Sequence, residues 1–377
     1  MAMPFVLIAV RDSFLKTAPD RPTPGGGSTL SGTTMTTIAS NILVVGPAWV
    51  GDMIMAQSLF IKLKQTRPQC RIMVTAPDST LPLLSRMPEV DDAIAAPFAH
   101  HRLQLTDRIR LGRQLRHHKF DQAIVLPGSI KSALVPFIAG IPRRTGYRKE
   151  PRYGLLNDLR TLNKDKQPRQ VQHFVQLGLS VDAPLIENTP RPQLEYRPES
   201  VPDILANLAV PVADTPVLAL CPGAEYGPAK RWPVRHFAKL ASLKLNEGWR
   251  VWLLGSSRDA PFAQAINDAV HGRCVDLSGR TSLDQAVDLL SATTQVVSND
   301  SGLMHIAAAV GKPLVAVYGS SNPNFTPPLS PNARSVSLEP SCLCGKRTCQ
   351  YGHTECLENL LPERVANVLA ELEQFQE

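Results

Sequence analysis

The chain has no apolar run close to the roughly 18 residues that a membrane-spanning helix needs, which argues against an integral membrane protein. It also lacks the signature of a secretory signal, because Arg11 and Asp12 follow the first apolar run instead of basic residues preceding it. Two common phosphate-binding motifs are missing as well. Asp52 stands where a P-loop needs lysine, and Ala48 stands where the dinucleotide fingerprint needs glycine.

The first 40 residues differ in composition from the rest of the chain. A short apolar run at residues 3–10 precedes a tract rich in Pro, Gly, Ser and Thr at residues 22–34, a composition typical of flexible segments. We expect a disordered extension, or an upstream start codon with Met35 as the working start. Export of the protein is the alternative interpretation.

Length and charge indicate a globular protein with a strongly basic region. The 377 residues are 43% hydrophobic and 19% charged, as in an ordinary soluble protein large enough for two domains. The net charge of +7 is uneven, because residues 100–170 hold 16 Lys or Arg against 5 Asp or Glu. Such a surface suits nucleic acid, an anionic lipid headgroup or a phosphorylated saccharide, or it serves only solubility.

Strand-like apolar runs alternate with helix-like segments from residue 41 onwards. The runs cover residues 42–45, 71–75, 123–126, 217–220, 251–255, 295–297 and 314–319. Short apolar runs of this kind are typical of parallel strands buried on both faces. The pattern restarts after a proline-rich stretch, residues 183–216, which we interpret as a linker. We therefore predict two successive α/β halves with a cleft between them.

The segment Ser-Asn-Asp-Ser-Gly-Leu-Met-His at residues 298–305 lies between a strand-like run and a helix of small residues. A strand that opens through a polar turn into a helix presents free backbone N–H groups at the positive end of the helix dipole. Ligands of doubly wound sheets bind at the carboxyl ends of the strands. We therefore expect the second half of the chain to bind an anionic ligand such as a diphosphate.

Asp52 supplies a single carboxylate on the turn that follows the first strand-like run of residues 42–45. One interpretation is that it only caps the following helix, where short acids are favoured. The other is a general base, for which a carboxylate within reach of a substrate hydroxyl is sufficient. The sequence leaves both interpretations open.

Lys230 and Arg231 lie in a Gly- and Pro-rich loop after the run at residues 217–220, the first strand-like run of the second half. A cation beside a helix N-terminus strengthens a diphosphate site, and it stabilises the negative charge that develops if the diphosphate is a leaving group. The alternative is a solvated basic pair on the surface.

Four cysteines near the end of the chain form a dense cluster, Cys342, Cys344, Cys349 and Cys356, with His353 among them. Their spacing is not that of a standard structural zinc site, which favours paired C-x2-C. Free thiols in a surface loop and metal binding both remain possible interpretations.

Eight sequence segments, distributed over both halves and in order, resemble those of the lipopolysaccharide heptosyltransferase II family, which belongs to glycosyltransferase family 9. They are residues 46–53, 83–90, 131–136, 140–142, 152–158, 221–232, 299–305 and 325–330. The resemblance extends from about residue 41 to about residue 334. The cysteine cluster is a departure from the pattern of this subfamily.

The resemblance implies an α/β protein with the GT-B fold, in which two Rossmann-like, doubly wound domains enclose an interdomain cleft. It implies a division into a disordered N-terminal extension (1–40), an acceptor-binding domain (41–195) and a nucleotide-sugar-binding domain (196–377). Enzymes of this kind transfer an L-glycero-D-manno-heptose from ADP-heptose to the first heptose of the lipopolysaccharide inner core, with inversion at the anomeric carbon. No metal and no redox cofactor is expected.

Matching motifs give roles to individual residues. By this resemblance, Asp52 is the base that deprotonates the acceptor hydroxyl, and Lys230 is the cation on the donor phosphates. The remaining donor-binding residues are expected to be Thr281, Ser282, Leu283, Asp300, Ser301, Gly302 and His305. The acceptor is acidic, so we expect cations on the cleft side of the first domain to bind it, namely Lys131, Arg143, Arg144 and Arg148.

The implied partners are ADP-heptose and a heptosyl-Kdo2-lipid A acceptor at the inner membrane face, with no nucleic acid and no stable protein partner. The implied location is the cytoplasm, with peripheral contact to the inner membrane. Alternatives are a related heptosyltransferase that acts on another core position, a GT-B nucleotide-sugar epimerase, and a non-catalytic binding protein for nucleotide or nucleic acid.

Overall fold

Two β-sheets with helices packed against them form the framework of the protein. The computed structural model describes residues 7–9, 40–99, 102–339 and 342–374. The strands in these residues are β1 (Leu7–Ala9), β2 (Asn41–Val45), β3 (Arg71–Ala76), β4 (Asp92–Ala95), β5 (Gln122–Val125), β6 (Arg143–Tyr147), β7 (Asp158–Arg160), β8 (Val217–Cys221), β9 (Arg250–Leu253), β10 (Val275–Asp276), β11 (Gln295–Asn299), β12 (Leu314–Tyr318) and β13 (Ala333–Ser337).

The α-helices of the same residues alternate with these strands. They are α1 (Val50–Thr66), α2 (Leu81–Leu84), α3 (Leu105–Leu115), α4 (Ile130–Ile138), α5 (Gln170–Leu177), α6 (Val201–Asn207), α7 (Val234–Asn246), α8 (Ala260–Ala269), α9 (Leu283–Ser291), α10 (Gly302–Ala309), α11 (Glu355–Glu358) and α12 (Pro362–Gln374). Short 3-10 helices occur at Arg116–His118, Pro198–Ser200 and Pro228–Lys230. In the described part of the chain, none of the helices has both the length and the apolarity to cross a bilayer.

Both sheets have the strand order of a doubly wound Rossmann fold. The first has the order β1-β4-β3-β2-β5-β6-β7 and the second the order β10-β9-β8-β11-β12-β13. Every pair in the two sheets is parallel except β1 with β4. In both sheets the order reverses beside the first parallel strand, β2 or β8, and this reversal opens a crevice at the carboxyl ends of the strands. The predicted α/β class with two doubly wound units is confirmed.

The central strands are buried because helices cover both faces of each sheet. Every residue of β8 is buried, and so are Ile42, Leu43 and Val44 in β2. Strands covered on both sides read as continuous apolar runs, the pattern that identified these two segments in the sequence. The sheets therefore fix the carboxyl ends of β2 and β8, from which the two most important loops of the site extend.

Two predictions about chain organisation need correction. Residues Leu7–Ala9 form a strand, β1, that pairs with β4, so the predicted disorder of the N-terminal extension is wrong for these three residues. The rest of residues 1–39 lies outside the described residues. The proline-rich stretch 183–216 contains α6, and its Leu194 and Leu205 are buried in the core, so it is more than an open linker. The boundary between residues 195 and 196 stays a prediction.

The two halves meet through the N-terminal ends of α1 and α10. A Cβ at Gly51 would lie 2.5 Å from His305 Cδ2, and a Cβ at Gly302 would lie 2.7 Å from Val50. Real Cβ atoms do not approach other atoms so closely, so glycine is needed at both positions. This contact places the loop after β2 directly opposite the loop after β11.

A buried ion pair ties the halves together on another side. Arg86, which follows α2, bonds to Asp288 of α9 with Nη2 and Oδ2 2.6 Å apart, and both side chains are at most 5% exposed. Asp288 also accepts hydrogen bonds from the Arg197 backbone N–H and the Ser200 hydroxyl. Removal of one partner from such a pair leaves a charge buried without compensation.

We expect Asp288→Ala to lower the free energy of unfolding by about 3–5 kcal/mol, because the Arg86 guanidinium would stay buried without its carboxylate. Urea denaturation measures the loss. The double variant Arg86→Met/Asp288→Leu should recover part of it, since no buried charge remains. A single variant within about 1 kcal/mol of the wild type would show that the pair does not hold the halves together.

Candidate functional site

A cleft of about 770 Å³ lies between the two halves, at the carboxyl ends of both sheets. The first half contributes the segment 49–52 with Met55, Pro168 and Gln170. The second half contributes the loops after β8, β9, β11 and β12 and the start of α9. Every sequence-predicted catalytic and donor-binding residue lies in this lining, namely Asp52, Lys230, Thr281, Ser282, Leu283, Asp300, Ser301, Gly302 and His305.

The loop between β11 and α10 presents a helix N-terminus to the cleft. Asn299 anchors the loop, because its side chain donates to the Pro222 carbonyl and accepts from the Trp232 backbone N–H. The Ser301 hydroxyl pairs with Ser298 and does not cap α10. The first backbone N–H groups of α10 therefore face the cleft without a side-chain cap, which is a favourable site for an anion.

Lys230 lies near the start of this helix, at the end of the short Pro228–Lys230 helix. Its Nζ is 2.5 Å from Asp300 Oδ2 and 5.0 Å from the centre of the Tyr226 ring. Asp300 is buried and Lys230 is mostly buried. An ammonium group has three N–H donors, so the ion pair with Asp300 fixes the side chain and leaves donors for a ligand.

A segment from the C-terminal region holds the Lys230 loop in place. The Tyr226 hydroxyl donates to the Gly345 carbonyl, and the Ala229 backbone N–H donates to the Arg347 carbonyl. The Gly345 N–H in turn donates to the Ser320 carbonyl after β12. Leu343 and Gly345 line the cleft themselves. The residues between Cys342 and Cys349 therefore form part of the wall of the site.

The cysteines of this segment are free thiols in the structure. Burial, together with the neighbouring thiols of Cys342, Cys349 and Cys344, raises the pKa of Cys356 to about 11. Within the described residues there is no group of three or more His, Cys, Asp or Glu side chains placed to hold a metal ion.

Asp52 lies in the first turn of α1, opposite Lys230, and the helix-cap interpretation is wrong. The cap position is Trp49, and the Asp52 carboxylate instead accepts a hydrogen bond of 2.8 Å from Gln170 Nε2. The backbone N–H of Gln170 donates to the Phe325 carbonyl of the other half at 3.0 Å. Gln170 thus connects the carboxylate of one half to a loop of the other.

Burial raises the pKa of Asp52 to about 6, and the negative charge of Asp300 acts in the same direction. The cations Lys149 and Lys230 and the hydrogen bond from Gln170 lower the pKa and offset part of the burial effect. A carboxylate with a pKa near 6 is mostly ionised at neutral pH and is still basic enough to accept a proton. The geometry and the pKa both fit a general base.

His305 is buried behind the contact between α1 and α10. Burial lowers its pKa to about 4; the negative charge of Asp300 acts against this shift and the positive charge of Lys230 acts with it. The imidazole is therefore neutral at physiological pH. It lies against Gly51, one residue from Asp52, so its ring shapes the turn that carries the carboxylate.

The predicted residues at the start of α9 line the far end of the cleft, but Ser282 has a local role. The Ser282 hydroxyl caps α9 by accepting a hydrogen bond from the Gln285 N–H, and it donates a hydrogen bond to Asp284.

The neighbouring wall of the cleft contains Asp259, a buried carboxylate that the sequence analysis did not identify. It accepts hydrogen bonds from the Ser256 N–H and hydroxyl. Its position after β9, the second strand of its sheet, was the available signal, because such strand ends meet at the ligand edge.

The predicted acceptor cations divide into two groups. Lys131 follows the carboxyl end of β5 and Arg148 follows that of β6, at the same sheet edge as the cleft. Arg143 and Arg144 pair in register with Gln122 and Ala123 at the amino end of β5, the opposite edge. The expectation that these two arginines lie on the cleft side is wrong. In the lining described for the cleft, none of the four is included.

Both misplaced arginines are already engaged in the first half. Arg143 forms an ion pair with Asp158 at 2.9 Å. Arg144 donates to the carbonyl groups of Ile141 and Leu155. The sequence placed them after a strand but gave no information on how many residues separate that strand from the next. They begin β6, and their side chains stabilise the amino edge of the sheet.

Gln170, Asp259 and Phe325 are the main residues of the site that sequence reasoning missed as site residues. Gln170 lies more than 100 positions from Asp52 and has no motif around it. Only the packing of α5 against α1 brings the two side chains together.

The chain is similar to a known protein family and to individual members of it. The model of glycosyltransferase family 9 (heptosyltransferase) matches residues 108–355. The chain is 46% identical over 345 residues to lipopolysaccharide heptosyltransferase 2 of Salmonella typhimurium, covering 88% of this chain and 98% of that protein. It is 45% identical over 344 residues to the Escherichia coli (strain K12) enzyme of the same name, covering 87% and 97%.

A solved structure, that of E. coli ADP-heptose lps heptosyltransferase II, is similar in fold. It has a TM-score of 0.79 and 43% sequence identity to this chain, and the match covers 89% of this chain and 100% of that one. Together with the two doubly wound sheets, this likeness confirms the expected GT-B fold.

The raised pKa of Asp52 has a consequence for stability. Its pKa of about 6 in the folded protein exceeds the ordinary value of 3.8, so the ionised carboxylate costs stability above pH 6. We expect Asp52→Asn to be more stable than the wild type at pH 8, by up to about 3 kcal/mol.

The advantage of Asp52→Asn should shrink as the pH falls below 6 and vanish below about pH 3, because the wild-type carboxyl group is then neutral in both the folded and the unfolded state. Thermal or urea unfolding over this pH range measures it. The exposed Asp165→Asn serves as control and should show no such pH dependence. An Asp52→Asn protein whose stability relative to the wild type does not change with pH would refute the raised pKa.

Proposed function

The chain belongs to glycosyltransferase family 9, the heptosyltransferases, and we propose that it transfers L-glycero-D-manno-heptose from ADP-heptose to the first heptose of the lipopolysaccharide inner core, with inversion at the anomeric carbon. The observation that carries this proposal is the juxtaposition of a basic carboxylate, Asp52, with an anion site made of Lys230 and the N-terminus of α10. The two parts come from different halves of the protein and face one cleft.

The second half binds the donor. The diphosphate of ADP-heptose lies at the N-terminus of α10, where backbone N–H groups and the helix dipole favour negative charge. Lys230, held by Asp300, adds a positive charge beside this helix start. The nucleoside extends towards the start of α9 and the Asp259 wall, which line the cleft in the same half.

The reaction needs one bond to form and one to break at the anomeric carbon. The acceptor hydroxyl oxygen attacks this carbon from the side of Asp52 and its proton passes to the carboxylate. The bond between the anomeric carbon and the phosphate oxygen breaks, and ADP leaves with the electron pair. Because attack and departure occur on opposite faces, the configuration at this carbon inverts.

The leaving group is stabilised by charges that are already in place. Negative charge grows on the phosphate oxygen as the bond breaks, and Lys230 and the α10 N–H groups face that oxygen in the proposed complex. These groups need no rearrangement during the reaction because Asn299 and the 343–347 segment fix the two loops. No metal ion is required by this arrangement of charges.

The acceptor binds on the side of the first half. Lys131 and Arg148 lie at the cleft edge of the sheet and supply cations for the acidic sugars and phosphates of a heptosyl-Kdo2-lipid A. The relatives named heptosyltransferase 2 support the second heptose as the product, over a related enzyme that acts on another core position. Because this acceptor is lipid-linked, we place the enzyme at the cytoplasmic face of the inner membrane.

The direct test is to incubate the protein with ADP-heptose and an acceptor that carries one heptose, and to weigh the products by mass spectrometry. We expect the acceptor to gain one heptose and ADP to appear in equal amount. Asp52→Asn should lower the rate by about a hundredfold or more, because general base catalysis is lost. Transfer only to the acceptor that carries no heptose, or an unaffected Asp52→Asn rate, would contradict the proposal.

Gln170 gives a second test, through the pH dependence of the rate. Its amide stabilises the ionised form of Asp52, so Gln170→Met should raise the pKa of the base and move the acidic limb of the kcat/KM profile upwards by about one pH unit. The variant should therefore be slow at pH 6.5 and recover at pH 8.5.

Gln176→Met is the matched control for this experiment. Gln176 lies on the same helix, but its side chain donates to the carbonyl groups of Ala183 and Pro184 and accepts from the Ile186 N–H, away from the cleft. It should leave the acidic limb in place even if it lowers stability. If Gln170→Met lowered kcat/KM equally at every pH and left the acidic limb at the same pH, Gln170 would not act through the Asp52 carboxylate.

A further inference from the structure

Helix α4 is apolar on the side that faces solvent. Ala133 and Val135 on its inner side are buried in the first half. On the outer side Ile130 and Phe137, two turns apart, are 40% and 47% exposed, and Leu134 and Ile138 between and beside them are partly exposed. A helix on the surface of a soluble domain ordinarily presents polar residues there.

The apolar surface continues onto the segment that leads into α3. Leu103 and Leu105 are 52% and 46% exposed. The Arg108 guanidinium links this segment to α4, because it donates to the carbonyl groups of both Leu103 and Lys131. Helices α3 and α4 are packed together. We call the surface formed by Leu103, Leu105, Ile130, Leu134, Phe137 and Ile138 the α4 patch.

Cations surround the α4 patch. Lys131 is at its cleft end, and Arg116 and Arg144 are at the other end, where Arg116 donates to the Ile138 carbonyl and Arg144 lies 5.5 Å from the Phe137 ring. The patch lies within residues 100–170, which carry 16 Lys or Arg against 5 Asp or Glu. Two acids lie near the patch: the Glu150 carboxylate accepts from the Ile130 N–H at the N-terminus of α4, and Asp107 of α3 forms an ion pair with Arg110.

We propose that the α4 patch is a docking surface for an anionic lipid bilayer, on which apolar side chains enter the headgroup boundary and the surrounding cations meet the lipid phosphates. Apolar residues flanked by Lys and Arg are the composition of interfacial membrane helices. A second copy of the chain is disfavoured as occupant, because a symmetric contact would set these cations against each other.

The position of α4 also fits the proposed transfer reaction. This argument rests on the lipid-linked acceptor of the proposed function. The N-terminal end of α4 follows the carboxyl end of β5, the sheet edge that borders the cleft. A bilayer against α4 would therefore bring the saccharide of a membrane-anchored acceptor towards the side of the cleft that holds Asp52. Lys131 lies next to Ile130 at this N-terminal end of the helix.

The experiment is flotation of the purified full-length protein with two kinds of vesicle, phosphatidylcholine alone and phosphatidylcholine with about 30% phosphatidylglycerol. We expect the wild type to float with the anionic vesicles, less with the neutral ones, and less at high salt. The double variant Ile130→Ser/Phe137→Ser should lose binding to anionic vesicles by about tenfold or more.

Val181→Ser/Val212→Ser is the matched control, since both valines are exposed apolar residues outside residues 100–170. It should bind vesicles as the wild type does. Thermal unfolding checks that both double variants remain folded. Turnover with a water-soluble, delipidated acceptor should be the same in all three proteins, which separates a failure of docking from a failure of the proposed enzyme activity.

Three results would overturn the proposal. The wild type could fail to float with the anionic vesicles at low salt, or the Ile130→Ser/Phe137→Ser variant could bind them as tightly as the wild type. Finally, light scattering without lipid could show a wild-type dimer that this variant converts to a monomer, and the patch would then be an interface between two copies of the chain.

Discussion

The contact between the N-terminal ends of α1 and α10 is the constraint on which the rest of the site depends. Gly51 against the His305 ring and Gly302 against the Val50 side chain let two helix starts from different halves approach closely. Helix starts carry unpaired N–H groups and a positive dipole, so their meeting point attracts anions. One of the two starts carries Asp52, and the cleft therefore contains both a place for a diphosphate and a group that can take a proton.

Charge is balanced within this small volume by a few buried partners. Lys230 forms an ion pair with Asp300, and the two charges shift the pKa of Asp52 in opposite directions: Lys230 lowers it and Asp300 raises it. Burial makes Asp52 a stronger base, and Gln170 and the cations keep it ionised near neutral pH. The buried carboxylate of Asp52 lowers the stability of the folded protein, and groups with such shifted pKa values are common at functional sites. Gln170 also joins the two halves, because its side chain bonds to Asp52 and its backbone N–H bonds to the Phe325 carbonyl.

The sequence predicted the parts of the site that follow strands. Asp52, Lys230 and Asp300 each come shortly after a buried apolar run, and the carboxyl ends of parallel strands meet at one edge of a sheet. The sequence could not predict Gln170, because its partner is far along the chain and only helix packing joins them. It misplaced Arg144 because a residue beside a strand can belong to either edge, and the length of the preceding loop decides which. The apolar outer side of α4 could not be told from core in the sequence, because exposure depends on what packs against the helix.

Equilibrium binding of ADP by titration calorimetry tests the central claim, that one half holds the donor and the other half holds the base. The account predicts that Lys230→Met weakens ADP binding by about tenfold or more, since a charged hydrogen bond to phosphate is lost. It predicts that Asp52→Asn, although it blocks transfer, binds ADP about as tightly as the wild type, because the carboxylate faces the acceptor. If Asp52→Asn lost as much ADP affinity as Lys230→Met, the separation of the two roles would be contradicted.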